Sequence, residues 1–192
     1  MSMNQPTAAD VGRAVNEVLR RHWVLYLVEG IVLVVLGAIA VIIPPLATLA
    51  ITILFGWLFL LSGVLGLITS FWMRAAPGFW WSLISAVLGI VIGVWLLAQP
   101  VAGALSLTFL LVVFFLIEGA VSIMFALEHK RELSGRWGWM LTSGIVDLVL
   151  GAMILGGYPS TAAWAIGVLV GINMVFGGVA LLMMALHARG AL

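Results

Sequence analysis

The chain has 192 residues, of which 65% are hydrophobic and only 8% are charged. Soluble globular domains carry about 25% charged residues, so this chain has too few charges to form a water-soluble monomer and is too apolar to be a disordered chain. A net charge of +1 argues against nucleic-acid binding, and the absence of cysteine excludes disulfides, thiolate metal sites and cysteine nucleophiles. The composition predicts an integral membrane protein.

Six apolar runs are long enough to cross the hydrocarbon core of a bilayer, which takes about 20 residues. Backbone groups in lipid must be paired within their own segment, so these runs are predicted to be helices. Pro44, Pro100 and Pro159 lie in the short connections after the first, third and fifth runs, where proline ends the preceding helix. The predicted spans cover residues 23–43, 46–72, 79–98, 101–127, 137–155 and 160–186.

The positions of the basic residues predict how the spans are oriented. All eight Lys and Arg residues lie before span 1, between spans 2 and 3, between spans 4 and 5, or after span 6, and none lies in the three connections that contain the prolines. Short loops rich in Lys and Arg stay in the cytoplasm, so both termini are predicted to be cytoplasmic. No cleavage site follows the first run, which we interpret as a retained span rather than a removed signal peptide.

Residues 7–21 precede the first span and combine an apolar face with several charged residues. One interpretation is an amphipathic helix that lies on the anionic surface of the membrane. The other is a cytoplasmic extension of span 1.

The spans form three hairpins that share a pattern of small residues. In the first span of each hairpin an aromatic residue, two small residues and a proline follow one another at intervals of seven, with one interval of eight before the last proline. Seven residues make two helical turns, so each row lies on one helix face, where small residues let helices approach closely. A glycine follows each proline after 19 residues. The rows are Trp23-Gly30-Gly37-Pro44, Phe79-Ala86-Gly93-Pro100 and Trp137-Gly144-Gly151-Pro159, and the glycines are Gly63, Gly119 and Gly178.

This pattern predicts an all-α fold, a polytopic membrane bundle of six transmembrane helices built from three parallel helical-hairpin repeats. The repeats are parallel because all three hairpins enter and leave on the same side of the membrane. The predicted segments are a cytoplasmic N-terminal amphipathic segment (1–22), hairpin repeat 1 (23–78), hairpin repeat 2 (79–136), hairpin repeat 3 (137–186) and a cytoplasmic tail (187–192).

Tandem Trp/Gly/Gly/Pro hairpins, six spans and cytoplasmic termini in a chain of 192 residues resemble the HdeD-type acid-resistance membrane proteins of bacteria. The clearest local matches are Gly-Ile-Val-Asp-Leu-Val at 144–149 and Val-Gly-Ile-Asn-Met-Val-Phe at 170–176, and the resemblance extends over residues 20–186. Similar proteins often carry an acidic residue where this chain has Asn173. The resemblance implies a multi-pass protein of the bacterial inner membrane that is linked to acid stress, and it implies no established catalytic mechanism, substrate or cofactor.

Three acidic residues lie within the predicted spans, Glu29, Glu118 and Asp147, and no Lys or Arg lies within a span to pair with them. A charged acid at the centre of a membrane helix costs about 3 kcal/mol, so we expect these groups to face the bundle interior, where an unpaired carboxyl favours its neutral form. One hypothesis is that the three acids converge and bind, relay or sense protons. The alternative is that each is a neutral acid that hydrogen-bonds a backbone carbonyl or a polar side chain. Candidate partners are Thr52, Ser62, Ser85, Ser122, Thr142, Ser143 and Asn173.

His22, His129 and His187 all lie at cytoplasmic span ends. Imidazole titrates near physiological pH, so a ring of such residues could sense pH, but histidines are also ordinary residues of membrane interfaces, and we favour that interpretation. Their spacing does not match a metal site. The sequence contains no P-loop, no HExxH motif and no serine elbow, so we predict no metal, no cofactor and no enzymatic activity.

These observations favour a non-catalytic membrane protein that is associated with acid-stress resistance and that packs its helices through small residues. Its predicted partners are the lipid bilayer and either a second copy of the chain or other membrane proteins. The alternative function is a transporter or channel for protons or a small solute, which the intramembrane acids and the parallel repeats would support. Against it, no span is broken centrally by proline and the acids form no ladder across the membrane.

Overall fold

The six predicted spans are six helices in the computed structural model, which describes residues 8–72, 74, 78–130 and 137–190, with side chains described from residue 23 to residue 188 of these ranges. Each helix is long and apolar enough to cross a membrane, and no strand occurs in the described ranges, so the all-α fold is confirmed. The helices are α1 (Ala8–Ile42), α2 (Pro44–Trp72), α3 (Phe79–Ala98), α4 (Pro100–Glu128), α5 (Trp137–Gly156) and α6 (Ala165–Gly190), and a 3₁₀ segment (Ser160–Ala163) precedes α6.

Pro44 and Pro100 are the first residues of α2 and α4. Proline suits this position because the N–H that it lacks would have no partner within the helix, and because its φ angle is already helical. The N–H of Gln99 donates to the carbonyl oxygen of Trp95 at 3.0 Å, which completes α3 before Pro100 begins α4. Each of these two prolines therefore lets one helix follow another after a single intervening residue.

The connection between α2 and α3 ends at Gly78, whose φ of 93° lies in the left-handed region. A side chain would strain the backbone there, whereas glycine adopts this conformation freely. The carbonyl oxygen of Gly78 then accepts the N–H of Ser82 at 3.0 Å, so the chain turns directly into the first turn of α3.

Helix α1 runs without a break from Ala8 to Ile42. Residues 8–22 therefore continue the first span, as in the second of the two interpretations of this region, and do not form a separate surface helix. The part of α1 that is apolar enough to span a membrane is Trp23–Ile42. Residues 1–7 lie outside the described residues.

The chain divides into two compact units, which we describe separately. The first consists of Met1–Ile43 and Val168–Leu192 and contains α1 and most of α6. The second, Pro44–Gly167, contains α2 to α5, the 3₁₀ segment and the first turn of α6.

Close backbone contact joins the helices in three pairs, which we call seams: α1–α6 in the first unit, and α2–α3 and α4–α5 in the second. In every seam, the glycine that follows a proline by 19 residues lies against the first small residue of a partner helix's row. A Cβ atom on that glycine would come closer to the partner helix than real Cβ atoms come to their neighbours, so the position 19 residues after each proline requires glycine. The pairs are Gly178 with Gly30, Gly63 with Ala86 and Gly119 with Gly144, and a Cβ atom added to the first glycine of each pair would lie 2.7 Å from the partner's carbonyl oxygen.

The seams do not join the two helices of one sequence repeat. A repeat consists of an odd-numbered helix, a connection with proline and an even-numbered helix, whereas each seam joins an even-numbered helix to the odd-numbered helix of the next repeat. The last helix, α6, pairs in the same way with the first, α1. The predicted row of small residues is therefore the packing face of each odd-numbered helix, and its partner comes from a neighbouring repeat.

Gly177 and Gly178 test the seam contact because they are neighbours in α6 with different surroundings. A Cβ atom at Gly178 would meet the Gly30 oxygen at 2.7 Å, whereas one at Gly177 would meet nothing within 4 Å. We expect Gly178→Ala to reduce the free energy of unfolding by about 1–3 kcal/mol, as overpacking usually does. Gly177→Ala is the control, and it should be neutral or stabilising because alanine favours a helix over glycine by about 1 kcal/mol. Thermal unfolding in detergent micelles measures both, and equal losses of Tm would contradict the seam.

Candidate functional site

The three acids singled out in the sequence lie in the middle of three helices, Glu29 in α1, Glu118 in α4 and Asp147 in α5. Glu118 is ten residues before the end of α4, and Asp147 is ten residues after the start of α5. At 1.5 Å per residue, both lie about 15 Å from the ends that the α4–α5 connection joins. The structure therefore brings Glu118 and Asp147 into one seam at one depth. Glu29 belongs to the other unit, and its convergence with the other two acids stays a prediction.

An open groove of about 420 Å³ follows one side of the α2–α3 seam and shows how residues beside a seam are arranged. Ser62 and Ser85 line this groove, and each directly precedes a seam residue, Gly63 or Ala86. Gly89, three residues after Ala86, lines the same groove. Positions one before and three after a seam residue thus share one side of the helix pair.

The α4–α5 seam has acids at the corresponding positions. Glu118 directly precedes the seam residue Gly119, and Asp147 follows the seam residue Gly144 by three residues. Ser143, directly before Gly144, completes the correspondence with the serine-lined groove. Glu118 and Asp147 therefore lie on the same side of the α4–α5 seam.

Glu118 and Glu29 are exposed and Asp147 is half-buried, which differs from the expectation that all three acids are buried in the bundle interior. The side chains next to Glu118 on the same face, Ile117 and Val121, are 59% and 57% exposed. The reason is geometric: the contact face of α4 is occupied by Gly119, and successive residues of a helix are rotated by about 100°. Glu118 therefore stands beside the seam, on the apolar surface that the membrane covers.

No hydrogen bond or ion pair reaches any of the three carboxyls from the residues that the structure describes. Two of the candidate partners donate their hydroxyl protons to their own helices, Thr52 to the carbonyl oxygen of Thr48 and Thr142 to that of Gly138, each at 2.8 Å. An exposed carboxyl without a partner is costly in hydrocarbon when it is charged, and a proton removes that charge. The candidate site therefore consists of three carboxyls that have no partner among the described residues.

Three threonines of α2 and α4 are almost completely buried, and only Thr52 was among the predicted hydrogen-bond partners. Thr48, Thr52 and Thr108 are at most 1% exposed. The N–H of Gly167, in the first turn of α6, donates to the Thr48 hydroxyl at 3.0 Å, whereas the Thr108 hydroxyl has no partner. A signal was present in the sequence, because Thr52 and Thr108 each follow a repeat proline, Pro44 or Pro100, by eight residues.

A cavity of about 210 Å³ lies among the proline connections of the second unit. Apart from Thr48 its lining is apolar, and such cavities do not hold hydrated ions. This cavity therefore offers no polar route toward the acids. Its lining residues are Pro45, Thr48, Leu49, Val101, Ala104, Leu105, Pro159, Ala162 and Ala163.

His129 and His187 lie near helix ends, whereas His22 lies within α1, directly before the part that could span a membrane, Trp23–Ile42. His129 follows α4, with its ring stacked on Phe125 at a centroid distance of 4.1 Å and its Nδ1 3.2 Å from the Phe125 carbonyl oxygen. His187 is exposed in α6, and the side chain of His22 lies outside the described side chains. The described residues contain no group of three His, Asp or Glu side chains that could hold a metal ion. Contacts within its own helix suit His129 as an interfacial residue.

The buried threonines give a test with opposite expected signs. Thr108→Val removes a hydroxyl that has no partner and keeps the shape of the side chain, so we expect it to raise Tm, because an unpaired buried polar group costs about 1–3 kcal/mol. Thr48→Val removes the acceptor of the Gly167 N–H and should lower Tm. Thermal unfolding of both variants in the same detergent measures the difference, and a loss of stability in Thr108→Val would show that its hydroxyl has a structural role.

Comparison with known proteins places the repeats in a family. A family model described as a short repeat of unknown function (DUF308) matches the chain twice, over residues 28–98 and 84–156. The matches begin at 28 and 84, an offset of 56 residues that also separates Pro44 from Pro100. No curated protein and no solved structure matches the chain. Because the two matches together cover about two thirds of its length, the chain belongs to the DUF308 family.

Proposed function

We propose that this protein is a non-catalytic protein of the bacterial inner membrane that supports resistance to acid stress, and that Glu29, Glu118 and Asp147 bind protons within the membrane. Membership of the DUF308 family supports the proposal, because the HdeD-type acid-resistance proteins that the sequence resembles belong to the same family. The acid-stress role itself comes from that resemblance.

One observation carries the proton-binding part of the proposal. Three carboxyls lie in the middle of membrane helices, and no hydrogen bond or ion pair reaches them from the described residues. An ionisable group within a membrane segment is costly and usually functional. Acidification would place a proton on each carboxyl and remove a charge from hydrocarbon, so the protein would be better accommodated in the membrane under acid than at neutral pH.

The proposed orientation, with both termini in the cytoplasm, comes from the distribution of Lys and Arg along the sequence, and aromatic contacts of two basic residues support an interfacial position for the helix ends concerned. The guanidinium of Arg74 lies 4.8 Å from the centre of the Phe71 ring, and the Lys130 ammonium lies 4.3 Å from the centre of the Trp137 ring. Both contacts are at helix ends that the sequence assigns to the cytoplasm. Basic and aromatic side chains are the usual anchors of a membrane–water interface.

A transporter or channel for protons or a small solute is the competing function. Transport needs a polar path through the protein, and the features described above do not favour one. Glu118 is exposed beside a seam, and the cavity among the proline connections is apolar. We therefore favour a role in stabilising the membrane or partner proteins over a role in conduction.

Reconstitution distinguishes the two functions. In liposomes that enclose a pH-sensitive dye, the internal pH should follow an imposed external pH step no faster with the protein than without it. An acid-dependent proton leak that disappears in Glu118→Gln or Asp147→Asn would instead establish transport and would overturn the non-conducting role.

Acid survival of cells tests the proton-binding role directly. In a strain that lacks the endogenous protein, we expect Glu118→Leu and Asp147→Asn to reduce survival of an acid challenge, because neither side chain can gain and lose a proton. Glu128→Gln is the matched control, since Glu128 is an exposed acid at the end of α4 rather than within the membrane. Survival equal to wild type in both intramembrane variants, at equal protein levels, would reject a functional role for these two acids.

A further inference from the structure

Glu118 lies in an apolar stripe along the exposed face of α4. The stripe residues recur at helical spacing, and their exposed fractions range from 43% to 68%. A carboxyl in the middle of such a stripe meets lipid tails or a partner in the membrane, because the residues that the structure describes leave it exposed. The apolar residues of the stripe are Phe114, Ile117, Val121, Met124 and Phe125.

The elements packed against α4 in the second unit provide no cation for this carboxyl. Helices α2 and α3 contain no titratable side chain, and neither does the 3₁₀ segment. The one titratable side chain of α5 is Asp147, which lies on the same side of the seam as Glu118 and adds a second acid. Among the described residues of the second unit, a charged Glu118 therefore faces another carboxyl and apolar surface, and a partner must bring either a cation or a proton-dependent contact.

We propose that a second copy of the chain packs against this stripe and that the Glu118 carboxyls of the two copies form a hydrogen-bonded pair once they have taken up protons. The inference rests on the proposed proton binding at Glu118 and identifies the partner that binds once Glu118 is protonated. Two copies with the same orientation in the membrane, related by a twofold axis along the membrane normal, place identical residues at identical depth. Glu118 of one copy would therefore meet the Glu118 of its partner copy.

The two carboxyls can form a hydrogen bond with each other only when at least one of them carries a proton. Two carboxylates at one depth repel each other strongly in hydrocarbon, where little screens them. When one or both are protonated, an O–H group of one donates to an oxygen of the other, and a hydrogen bond between an acid and its carboxylate is among the strong ones. Association should therefore increase as the pH falls and decrease as it rises.

A second copy suits this surface better than a different membrane protein with a basic residue. The pair needs no group that this chain lacks, and large exposed side chains such as Phe114 and Val121 flank Glu118 for contact with the same residues of the other copy. A cationic partner would bind a charged Glu118 and would be released by acid, so the two possibilities predict opposite effects of pH.

The natural absence of cysteine makes the contact directly measurable. A spin label on Val121→Cys reports on the stripe, because Val121 is 57% exposed and lies one turn from Glu118. A label on Val87→Cys, on α3, is the matched control, since Val87 is 46% exposed. Val87 lies eight residues after the start of α3 and Val121 seven residues before the end of α4, so the two labels are at similar distances from their helix ends. Distances between copies are measured by double electron–electron resonance in liposomes at neutral and at acidic pH.

We expect the fraction of labels at Val121→Cys with a short distance to a second copy to rise several-fold on acidification, and the Val87→Cys fraction to stay unchanged. Adding Glu118→Gln, whose amide pairs without a proton, should give short distances at both pH values. Adding Glu118→Leu should give none at either, and leucine at an exposed membrane position does not threaten the fold, which circular dichroism checks.

The inference would be overturned by a fraction of short distances that does not change with pH, by short distances that persist in Glu118→Leu, or by short distances at Val87→Cys instead of Val121→Cys. A fraction that falls on acidification would overturn it as well and would indicate a cationic partner. The distances are independent of cell survival, so a failed survival assay and a failed dimer are separate results.

Discussion

The close approach of helix backbones at the three seams is the contact on which the rest of the structure depends. Lipid tails are as apolar as these side chains, so no hydrophobic effect drives the helices together within a membrane. Dispersion between packed atoms must supply the attraction, and it falls steeply with separation. Glycine and alanine let many atom pairs come within range, and the same contact recurs in all three seams. A side chain at Gly119 would separate α4 from α5, and with them the seam that places Glu118 beside Asp147.

Each seam joins helices from two neighbouring sequence repeats, and this explains which helices the two family matches cover. A hairpin repeat read from the sequence contains half of one seam and half of another, so it cannot bury its small-residue faces alone. The two DUF308 matches end at residues 98 and 156, which are the last residues of α3 and α5. Each match therefore includes a whole seam, α2–α3 in the first and α4–α5 in the second. The segment that the family model matches therefore contains both helices of a packed pair.

Most helix ends were predictable to within a few residues because local chemistry determines them, whereas the start of α6 at Ala165, after a 3₁₀ segment, was not. Prolines and charged residues interrupt the apolar runs, and the third span, 79–98, is the same in prediction and structure. The seam partners were not predictable, since a seven-residue row identifies a helix face but not what lies against it. The exposure of Glu118 was missed because α4 is apolar on every side, so periodicity does not distinguish its membrane face from its packed face. The burial of Thr108 was indicated in the sequence only by its position eight residues after Pro100, which matches that of Thr52 after Pro44.

The polar residues beside the seams differ between repeats while the seam residues stay small. The residues directly before the seam contacts are Ser62 and Ser85 in α2–α3, Glu118 and Ser143 in α4–α5, and Gly177 and Glu29 in α1–α6. This position lies about 100° around the helix from the contact, so the seam holds its backbone while its side chain remains free. A substitution there changes the chemistry of the membrane surface without disturbing the packing. Glu29 and Glu118 therefore occupy equivalent places beside two seams, although no common spacing along the sequence relates them.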